Sequence, residues 1–358
     1  MPRPATLDHV VIRAADLESG AAYAADELGI TMVAGGAHAA MGTHNILSGL
    51  GGLSGPYLEV IAIDPSADAP DRARWFALDE MPETADPHLS AWILRVDDPV
   101  PSDETGPALA LARGDLRWRV TVRDDGRMPY DGVGPALIAW DDAAPSLPPG
   151  EARLISVIAV HPDATRLSDF LDDLDLAAPV SVQAGESPRL LAAFDTPLGP
   201  RILTSDARGI DVITERQAAM DLFHRTWRYL DREDRVAEHD EAMIASAEAS
   251  LWHWRRVGAA TQWAIGEWQC SRVHSVLGDG ERALAHAQRC LAIAEADRVD
   301  DFVPASAHEA LSRAYAVLGD MEAAREERNL SYRLAVELDD EERDVIEHDL
   351  GTIPIPLG

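Results

Sequence analysis

The sequence contains no lysine, so all 31 of its basic residues are arginine. Against them stand 62 aspartate and glutamate residues, which leaves a formal net charge of −31. Nucleic acid and anionic membrane surfaces repel such a polyanion. We therefore expect neither nucleic acid nor a membrane as a partner.

Cysteines and long apolar runs are scarce as well. The two cysteines, Cys270 and Cys290, lie in helical sequence without a close-spaced ligand pattern, which predicts reduced thiols in a core. No apolar run approaches the roughly 20 residues that span a bilayer, and the opening residues lead to no signal-peptide core. We expect a soluble, cytoplasmic protein. The sequence also lacks a Gly-rich phosphate loop and a nucleophile–base spacing.

A length of 358 residues predicts two or three domains. Short strand-like runs dominate up to about residue 206, and from about residue 211 they give way to long amphipathic stretches rich in Ala, Glu and Arg. The polar, turn-prone segment 205–214 lies between the two patterns. We therefore predict an α+β protein with a mixed-sheet domain over residues 1–208 and an all-α domain over residues 209–358.

Two short apolar runs near the beginning, residues 7–12 and Tyr57–Ile63, predict buried strands. Each run carries one polar residue that packing alone would not select, His9 in the first and Glu59 in the second. Side chains alternate along a strand, so each of these residues shares a face with the apolar residues two positions away. If the strands pair, an imidazole and a carboxylate point into one concavity.

This pair has three interpretations. An imidazole and a carboxylate are half of a first-row metal site, or they are an acid–base pair. They also satisfy each other as a buried hydrogen bond with no further role. The spacing of His9 and Glu59 alone leaves all three open.

The segment between the two runs is divided by helix caps and turn residues. Asp16 and Gly29 are the expected N-cap and C-cap of its helix. The predicted elements are a helix over Leu17–Leu28, strands over residues 31–33 and Thr43–Gly49, a turn at Gly35 and Gly36, and, in the following connector, a helix over residues 71–78.

The stretch LDHVVIRAADLESGAAYAADELGITMVAGGAHAAMGTHNILSGLGGLSGPYLEVIAID resembles the opening βαβββ module of the vicinal-oxygen-chelate superfamily. It is similar, more narrowly, to glyoxalase-like proteins with a GT-H-N segment before the third strand. HLSAWILRVDD, LRWRVTV, GPALIAWDD and RLSDFLDDLDL extend the resemblance over residues 5–206. The resemblance implies βαβββ modules that form a cupped mixed sheet with helices outside. It also implies a divalent metal (zinc, iron, manganese or nickel) and a small oxygenated or carboxylated substrate.

The first module is repeated within the chain. Residues 89–98 align with residues 7–16 without a gap, and a third copy begins at Leu154. The equivalent positions in the three copies are His9, Ala91 and Ser156 for the imidazole, and Glu59, Ile138 and Leu203 for the carboxylate. The superfamily normally draws metal ligands from two modules, whereas here only the first supplies them. Because two ligands rarely hold a divalent ion tightly, the implied site is incomplete.

His44 is a candidate third ligand because it lies in the GT-H-N segment. His44 and Asn45 alternate along the predicted strand, so only one of them faces the cavity, and the sequence does not say which. The predicted metal ligands are thus His9, His44 and Glu59, and His9 and Glu59 are also the candidate catalytic pair. His38 and His88 are expected in solvated loops.

Arg13, Arg95 and Asn45 are the candidate substrate contacts. Arg13 lies on the predicted strand face of His9, Arg95 occupies the matching position of the second copy, and an arginine at a cavity mouth can hold a carboxylate through two hydrogen bonds. The alternative for each arginine is an ion pair with one of the many surface acids. Trp92, Trp118 and Trp140 are expected in the core first and in the cavity wall second.

The C-terminal region contains a repeat of its own. The segments 271–283 and 312–324 match at a constant offset of 41 residues, and Gly-Asp forms the turn in each. This resembles the tetratricopeptide class of helical hairpins, stretched beyond its usual period. We expect five to seven helices. The tryptophans and histidines of this region either line a groove for a ligand or protein partner, including a second copy, or fill the joints between helices.

Three functions are compatible with these observations. The first is a glyoxalase-like, metal-dependent lyase, isomerase or dioxygenase acting on a small metabolite, with the helical domain as a regulator or dimer arm. The second is a non-catalytic protein that sequesters a small molecule. The third is a scaffold that works through the helical domain. We favour the first.

Overall fold

The computed structural model describes residues 3–51, 55–141, 144–206, 208–299 and 302–353. The chain divides into two compact units, Met1–Asp211 and Val212–Gly358. In the described residues the first unit holds a mixed sheet and the second holds helices alone, which confirms the predicted α+β class. No described helix is both long and apolar enough to cross a bilayer.

The elements of the first unit are the strands β1 (Thr6–Arg13), β2 (Val33–His38), β3 (Thr43–Gly49), β4 (Tyr57–Ile63), β5 (His88–Arg95), β6 (Ala108–Arg113), β7 (Leu116–Thr121), β8 (Ala136–Trp140), β9 (Arg153–His161), β10 (Val180–Ala184), β11 (Arg189–Thr196) and β12 (Gly199–Thr204), and the helices α1 (Leu17–Leu28) and α2 (Ala164–Asp173).

Eight strands form one sheet in the order β2-β3-β4-β1-β5-β8-β7-β6. The order is symmetric about the antiparallel pair β1–β5, because β1 pairs with β4 and β5 pairs with β8, both in parallel. The two edge strands approach each other where the Arg113 side chain of β6 reaches His38 of β2, with Nη1 and Nε2 3.2 Å apart. The sheet is therefore a nearly closed, cupped barrel.

The central strands bury both faces, which explains their unbroken apolar runs. On β1, Val11 points into the barrel and packs with Ile61, Ile93 and Ile138. Its neighbours Val10 and Ile12 point outwards into a second core. That outer core includes α1, α2 and the second sheet, with Leu28, Leu167 and Phe194 among its fully buried members.

The third segment does not repeat the first two. Its elements run strand, helix, strand, strand, strand, as in the first module, but its sheet has the order β10-β9-β11-β12. Here both partners of the first strand, β10 and β11, belong to its own segment, whereas β1 pairs with β4 of its module and with β5 of the next. The third copy predicted from the sequence is therefore wrong as a repeat of the pairing, because strand order depends on contacts that similar apolar strands can satisfy in more than one way.

Local signals predicted α1 correctly. The Asp16 carboxylate accepts a hydrogen bond from the Ser19 backbone N–H at 2.7 Å, and Gly29 ends the helix at φ 65°. The predicted turn at Gly35 and Gly36 is wrong, because both glycines lie within β2, where a bulge interrupts the ladder.

The connector helix predicted over residues 71–78 is wrong as well. The segment Trp75–Glu80 is a 3₁₀ helix with a kink, in which Phe76 and Ala77 have positive φ. The Arg13 guanidinium donates to the carbonyls of Phe76 and Ala77 at 3.2 Å each. A contact 63 residues away along the chain thus holds this conformation, which no local pattern can predict.

The second unit contains seven helices in the described residues. They are α3 (Val212–Leu230), α4 (Ala237–Val257), α5 (Ala260–Val276), α6 (Gly280–Ala296), α7 (Val303–Leu318), α8 (Met321–Ala335) and α9 (Asp340–Gly351). Both cysteines are free and buried in this unit, and burial raises the pKa of each thiol.

The hairpins α5–α6 and α7–α8 repeat their contacts at the predicted offset of 41. The Ser271 hydroxyl donates to the Ala283 carbonyl at 2.9 Å, and Ser312 donates to Ala324 at 2.8 Å. A His–Glu contact of 2.6 Å also joins the two helices of each hairpin. The glutamate lies on the first helix of α5–α6, whereas in α7–α8 the histidine does. These contacts are Glu267–His286 in the first hairpin and His308–Glu327 in the second. The likeness to tetratricopeptide repeats remains a prediction.

Candidate functional site

The candidate site lies inside the barrel and begins at a bulge in β1. Against β5, Leu7 pairs with Leu94 and His9 pairs with Ile93, so Asp8 is an extra residue. A bulge of this kind breaks the alternation of side chains between the two faces of a strand. Asp8 consequently lies beside the His9 ring instead of on the opposite face.

His9 lies between two carboxylates. Its Nδ1 is 2.7 Å from Asp8 Oδ1, and its Nε2 is 3.5 Å from Glu59 Oε2. The second distance is within the roughly 5 Å that alternation on paired strands predicts. The Tyr57 ring stacks on the imidazole with centroids 4.5 Å apart. Each side chain of the Asp8–His9–Glu59 set is at most 7% exposed.

The ion pairs outweigh the effect of burial on this set. Burial alone would lower the pKa of His9, but hydrogen bonds and charge from Asp8 and Glu59 raise it to about 9. Burial alone would raise the pKa of Glu59, yet the contact with His9 leaves it below its usual value. Burial opposes the ionisation of Asp8 too, but His9, Arg95 and Trp140 lower its pKa overall. At neutral pH the set is therefore carboxylate, imidazolium, carboxylate.

A second chain of hydrogen bonds leads from Glu59 to the open edge of the barrel. Asn45 Nδ2 donates to Glu59 Oε1 at 2.5 Å, and Asn45 Oδ1 accepts from Arg113 Nη1 at 2.9 Å. Arg113 also faces His38 Nε2, whose ring contacts the Thr43 hydroxyl through Nδ1 at 3.1 Å. Burial, with the charge of Arg113 adding to it, lowers the pKa of His38 to about 4. His38 is therefore neutral and buried, and its expected position in a solvated loop is wrong.

The remaining wall of the cavity is largely apolar and aromatic. It includes Trp75, Trp118, Trp140, Ile93 and Ile138. The free volume is about 50 Å³, room for a few water molecules. Trp92, in contrast, is fully buried in the outer core and donates from its indole to the Val133 carbonyl at 2.7 Å. The expectation of core first and wall second therefore holds for Trp92, while Trp118 and Trp140 serve as wall.

Alternation along β3 brings Asn45, and not His44, into the cavity. Asn45 contacts Glu59 and Arg113, whereas His44 is absent from the cavity wall. His44 Nε2 is buried without a hydrogen-bond partner among the described residues. The structure therefore does not bring the predicted ligand His44 to His9 and Glu59.

Both predicted substrate arginines are engaged elsewhere. Arg13 Nε donates to His88 Nε2 at 2.9 Å and supports the connector, and neither residue lines the barrel cavity. His88 belongs to β5 and is not in the solvated loop that we expected. Arg95 Nε donates to Asp8 Oδ2 at 2.8 Å. Arg95 thus contacts the site through Asp8. Arg113 is one of three arginines in the cavity wall, with Arg123 and Arg127, and it is linked to Glu59 through Asn45.

The described residues do not fit the divalent metal that the fold family implies. Protein metal sites usually supply three or more ligands, and no group of three His, Cys, Asp or Glu side chains in the described part of the chain has that arrangement. His9 and Glu59 are two donors. The position equivalent to His9 in the second module holds Ala91, and the register of β5 with β8 gives Ala136 as the counterpart of Glu59, so the predicted counterpart Ile138 is wrong.

Comparison with known proteins agrees with this architecture. A protein-family model described as a glyoxalase-like domain matches residues 7–174. The first unit contains a glyoxalase-like domain. This confirms the resemblance seen in the sequence. No curated protein matches the chain.

Several solved structures are similar to part of this glyoxalase-like unit. Methylmalonyl-CoA epimerase from Mycobacterium tuberculosis is 20% identical with a TM-score of 0.26, covering 38% of this chain and 88% of its own. Methylmalonyl-CoA epimerase in complex with methylmalonyl-CoA and NH4+ is 16% identical with a TM-score of 0.29, covering 41% and 100%. A Streptomyces coelicolor methylmalonyl-CoA epimerase variant in complex with 2-nitronate-propionyl-CoA is 15% identical with a TM-score of 0.29, covering 41% and 100%.

Sequence reasoning missed Asp8 and Arg113. Asp8 is an acidic residue beside His9 in an apolar strand. This position is itself a signal of a site, because a buried carboxylate needs a hydrogen-bond partner. Arg113 gave no comparable signal. It becomes a site residue only because β6 closes on β2.

Proposed function

We propose that the glyoxalase-like unit binds a small oxygenated or carboxylated molecule in the barrel and moves a proton on it, with Glu59 as base and His9 as acid. The observation that supports this most is the buried Asp8–His9–Glu59 set inside the cavity. A base must be ionised and an acid protonated at the working pH. The lowered pKa of Glu59 and the pKa of about 9 of His9 meet this requirement.

The charges around the cavity favour an anionic ligand. Asp8 and Glu59 carry negative charge and His9, Arg95 and Arg113 carry positive charge, so these five groups sum to +1. Two further arginines of the wall, Arg123 and Arg127, are each paired with an acidic residue and leave this sum unchanged. Arg113 uses Nη1 for both of its hydrogen bonds to described side chains. Its other donors are therefore available for a carboxylate, which arginine binds through two parallel hydrogen bonds.

The remaining residues position the pair. Asp8 fixes the His9 ring through Nδ1, so that Nε2 points at Glu59. Asn45 holds the other Glu59 oxygen. The apolar wall lowers the local dielectric, which strengthens each of these contacts. A carbon acid bound beside Glu59 Oε2 would give its proton to that oxygen, and the His9 imidazolium would stabilise the negative charge that develops on the ligand oxygen.

Binding without chemistry is the second candidate, because both Glu59 oxygens have partners and its pKa is lowered. A carboxylate held in this way is a weak base. One experiment separates the two functions. Small 2-oxo and 2-hydroxy acids are titrated into the full-length protein by calorimetry, and the exchange of their α-hydrogens with deuterium oxide is followed by NMR.

Matched variants test which residues are responsible for binding and which for hydrogen exchange. Arg113→Gln should weaken binding about tenfold or more, since it removes a charged donor. Arg117→Gln is the control, because Arg117 is exposed and its hydrogen bonds within the described part of the chain go to the carbonyls of Gly114 and Leu116. Glu59→Gln should abolish exchange while some binding survives. Binding without exchange in the wild-type protein supports sequestration. No difference between Arg113→Gln and Arg117→Gln would refute the site.

A further inference from the structure

The second unit contains a pocket of its own, separate from the barrel cavity. Its wall comes from α3, α4, α5, α6, α7 and α9 and the residues next to them, and its free volume is about 430 Å³. Small-molecule pockets in proteins fall in the range of about 300–1,000 Å³. The helical unit therefore has room for a ligand that contains a ring.

Aromatic side chains form most of the wall. Trp227, Trp254 and Trp268, with Phe223 and Phe302, line the pocket, and all five are only partly buried. Trp227 and Trp268 lie with their ring centroids 5.9 Å apart at an angle of 40°. Rings that served only to fill joints between helices would be fully covered. Their open faces indicate a recognition surface.

One carboxyl group lies in the wall of this pocket. Asp349 of α9 lines the pocket and is 8% exposed. Arg272 Nη2 contacts its Oδ1 at 3.3 Å, and Arg272 and Arg313 also bind Glu309. These two arginines and two acids cancel in charge. Neither arginine lines the pocket, so Asp349 is the member of the cluster that faces the cavity. Burial raises the pKa of its carboxyl, and the charge of Arg272 and Arg313 opposes that rise.

The net negative charge of the whole helical unit also favours a cationic ligand. Residues 212–358 contain 16 arginines and 29 acidic residues, so the unit carries 16 − 29 = −13. Such a field raises the local concentration of cations and repels anions. A cation over an aromatic face gains further attraction from the ring quadrupole, and tryptophan is the strongest partner.

We propose that this pocket binds a small organic cation with an aromatic body, its ammonium group near Asp349 and its ring among the tryptophans. The aromatic wall supplies the apolar contact area and the cation–π attraction. The single carboxylate supplies the orientation, as convergent polar groups do in ligand sites. This assignment is independent of the function proposed for the barrel.

The test uses the full-length protein and two probes that share a benzyl group. Benzyltrimethylammonium is the cation and benzyl alcohol is the neutral comparison, both titrated by calorimetry. We expect the cation to bind about tenfold or more tightly than the alcohol, in line with combined cation–π and charge attraction.

Variants locate the binding. Asp349→Asn should remove the preference for the cation, and Trp227→Leu should weaken the cation about fivefold or more by taking away one aromatic face. Asp344→Asn is the matched control, an exposed acid on the same helix. Arg113→Gln controls for the barrel. Circular dichroism and thermal unfolding show whether each variant is folded. If Asp349→Asn does not fold, the result for Trp227→Leu decides the test.

Four outcomes would overturn the proposal. These are equal affinity for both probes, absence of cation binding, cation binding unchanged in Trp227→Leu, and cation binding lost in Arg113→Gln. Light scattering adds a fifth. A wild-type dimer that becomes a monomer in Trp227→Leu would mean that a second copy of the chain covers the pocket.

Discussion

The two halves of the barrel share a strand order and differ in chemistry. From the centre outwards the first half has the order β1, β4, β3, β2 and the second has β5, β8, β7, β6. Interior positions that hold His9 and Glu59 in the first half hold Ala91 and Ala136 in the second. The proposed acid and base thus come from one half, and the other contributes apolar wall and arginines, among them Arg95 and Arg113.

The difference shows that the inward-facing side chains of a duplicated sheet can vary while its strand order is kept. Backbone ladders hold both halves together whatever the inward side chains are, provided that they fill the interior. The apolar half still affects the chemistry, because a low dielectric strengthens the contacts of His9 with its two carboxylates. The pKa of about 9 for His9 thus depends on both halves, although its ion-pair partners belong to the first.

Removal of the imidazole should have the largest effect. His9→Ala leaves Asp8 and Glu59 buried without their shared cation, and breaking such a buried pair costs about 3–5 kcal/mol of unfolding free energy. Urea denaturation followed by circular dichroism measures the loss. His44→Ala is the matched control on the same module, and we expect it to cost about 1 kcal/mol or less because His44 has no partner to lose among the described residues. Equal losses in the two variants would show that the ion pairs contribute nothing.

Placing polar groups in the second half should create a metal site. The double variant Ala91→His and Ala136→Glu places two more donors at the interior positions that correspond to His9 and Glu59. We expect it to bind zinc or nickel at about one ion per chain, with a metal-dependent rise in melting temperature. Elemental analysis and thermal unfolding with and without metal measure this.

The wild-type protein is the reference for the metal experiment. We expect it to be purified with well under one ion per chain, because it offers two ligands. A stoichiometric metal that disappears in His9→Ala would contradict the two-ligand argument and return the metal-dependent reaction to first place.

A rise in pH should lower the stability of the first half of the barrel. The pKa of His9 is raised from 6.5 to about 9 on folding, so its contribution is complete below pH 6.5 and is lost as the pH rises through about 9. We expect a decline of roughly 1–3 kcal/mol in unfolding free energy over that window. His9→Gln should flatten this slope, whereas His348→Gln, at an exposed position of α9, should leave it unchanged. A slope that persists in His9→Gln would assign the effect to another group.

The contribution of His38 to stability has the opposite pH dependence, within the same half of the barrel. Its pKa falls to about 4 on folding, so between pH 6.5 and 4 the unfolded chain binds its proton more readily and stability decreases as the pH is lowered. Histidine NMR should show one ring that titrates near pH 9 and another that stays neutral to about pH 4. Neither signal should move in Arg117→Gln.

Separation of the two units should have the smallest effect. Each unit is compact by itself, and the helical hairpins bury their apolar residues against sequence neighbours. We expect fragments 1–211 and 212–358 to be folded by circular dichroism, with melting temperatures within about 5 °C of the full-length transitions. Any metal or small acid should stay with the first fragment. An unfolded helical fragment, or a ligand lost on cleavage, would mean that a site needs both parts.

The sequence by itself determined the elements whose signals are local. Asp16 and Gly29 mark α1 because a cap satisfies backbone groups within a few residues. The proximity of His9 and Glu59 followed from alternation on two strands once their pairing was assumed. The 41-residue repeat of the helical unit was equally visible, because it lies in the order of residues.

Tertiary structure decided what depends on closure and register. Asn45 rather than His44 faces the cavity because of how β3 pairs with β4, and Asp8 joins His9 because of a bulge opposite β5. Arg113 reaches Asn45 only because the edge strands meet, 68 residues apart in the chain. The carboxylate of Asp349 likewise joins the tryptophans of the helical pocket through packing of α9. Each of these is a contact between distant residues, and its energy depends on a geometry that no local pattern contains.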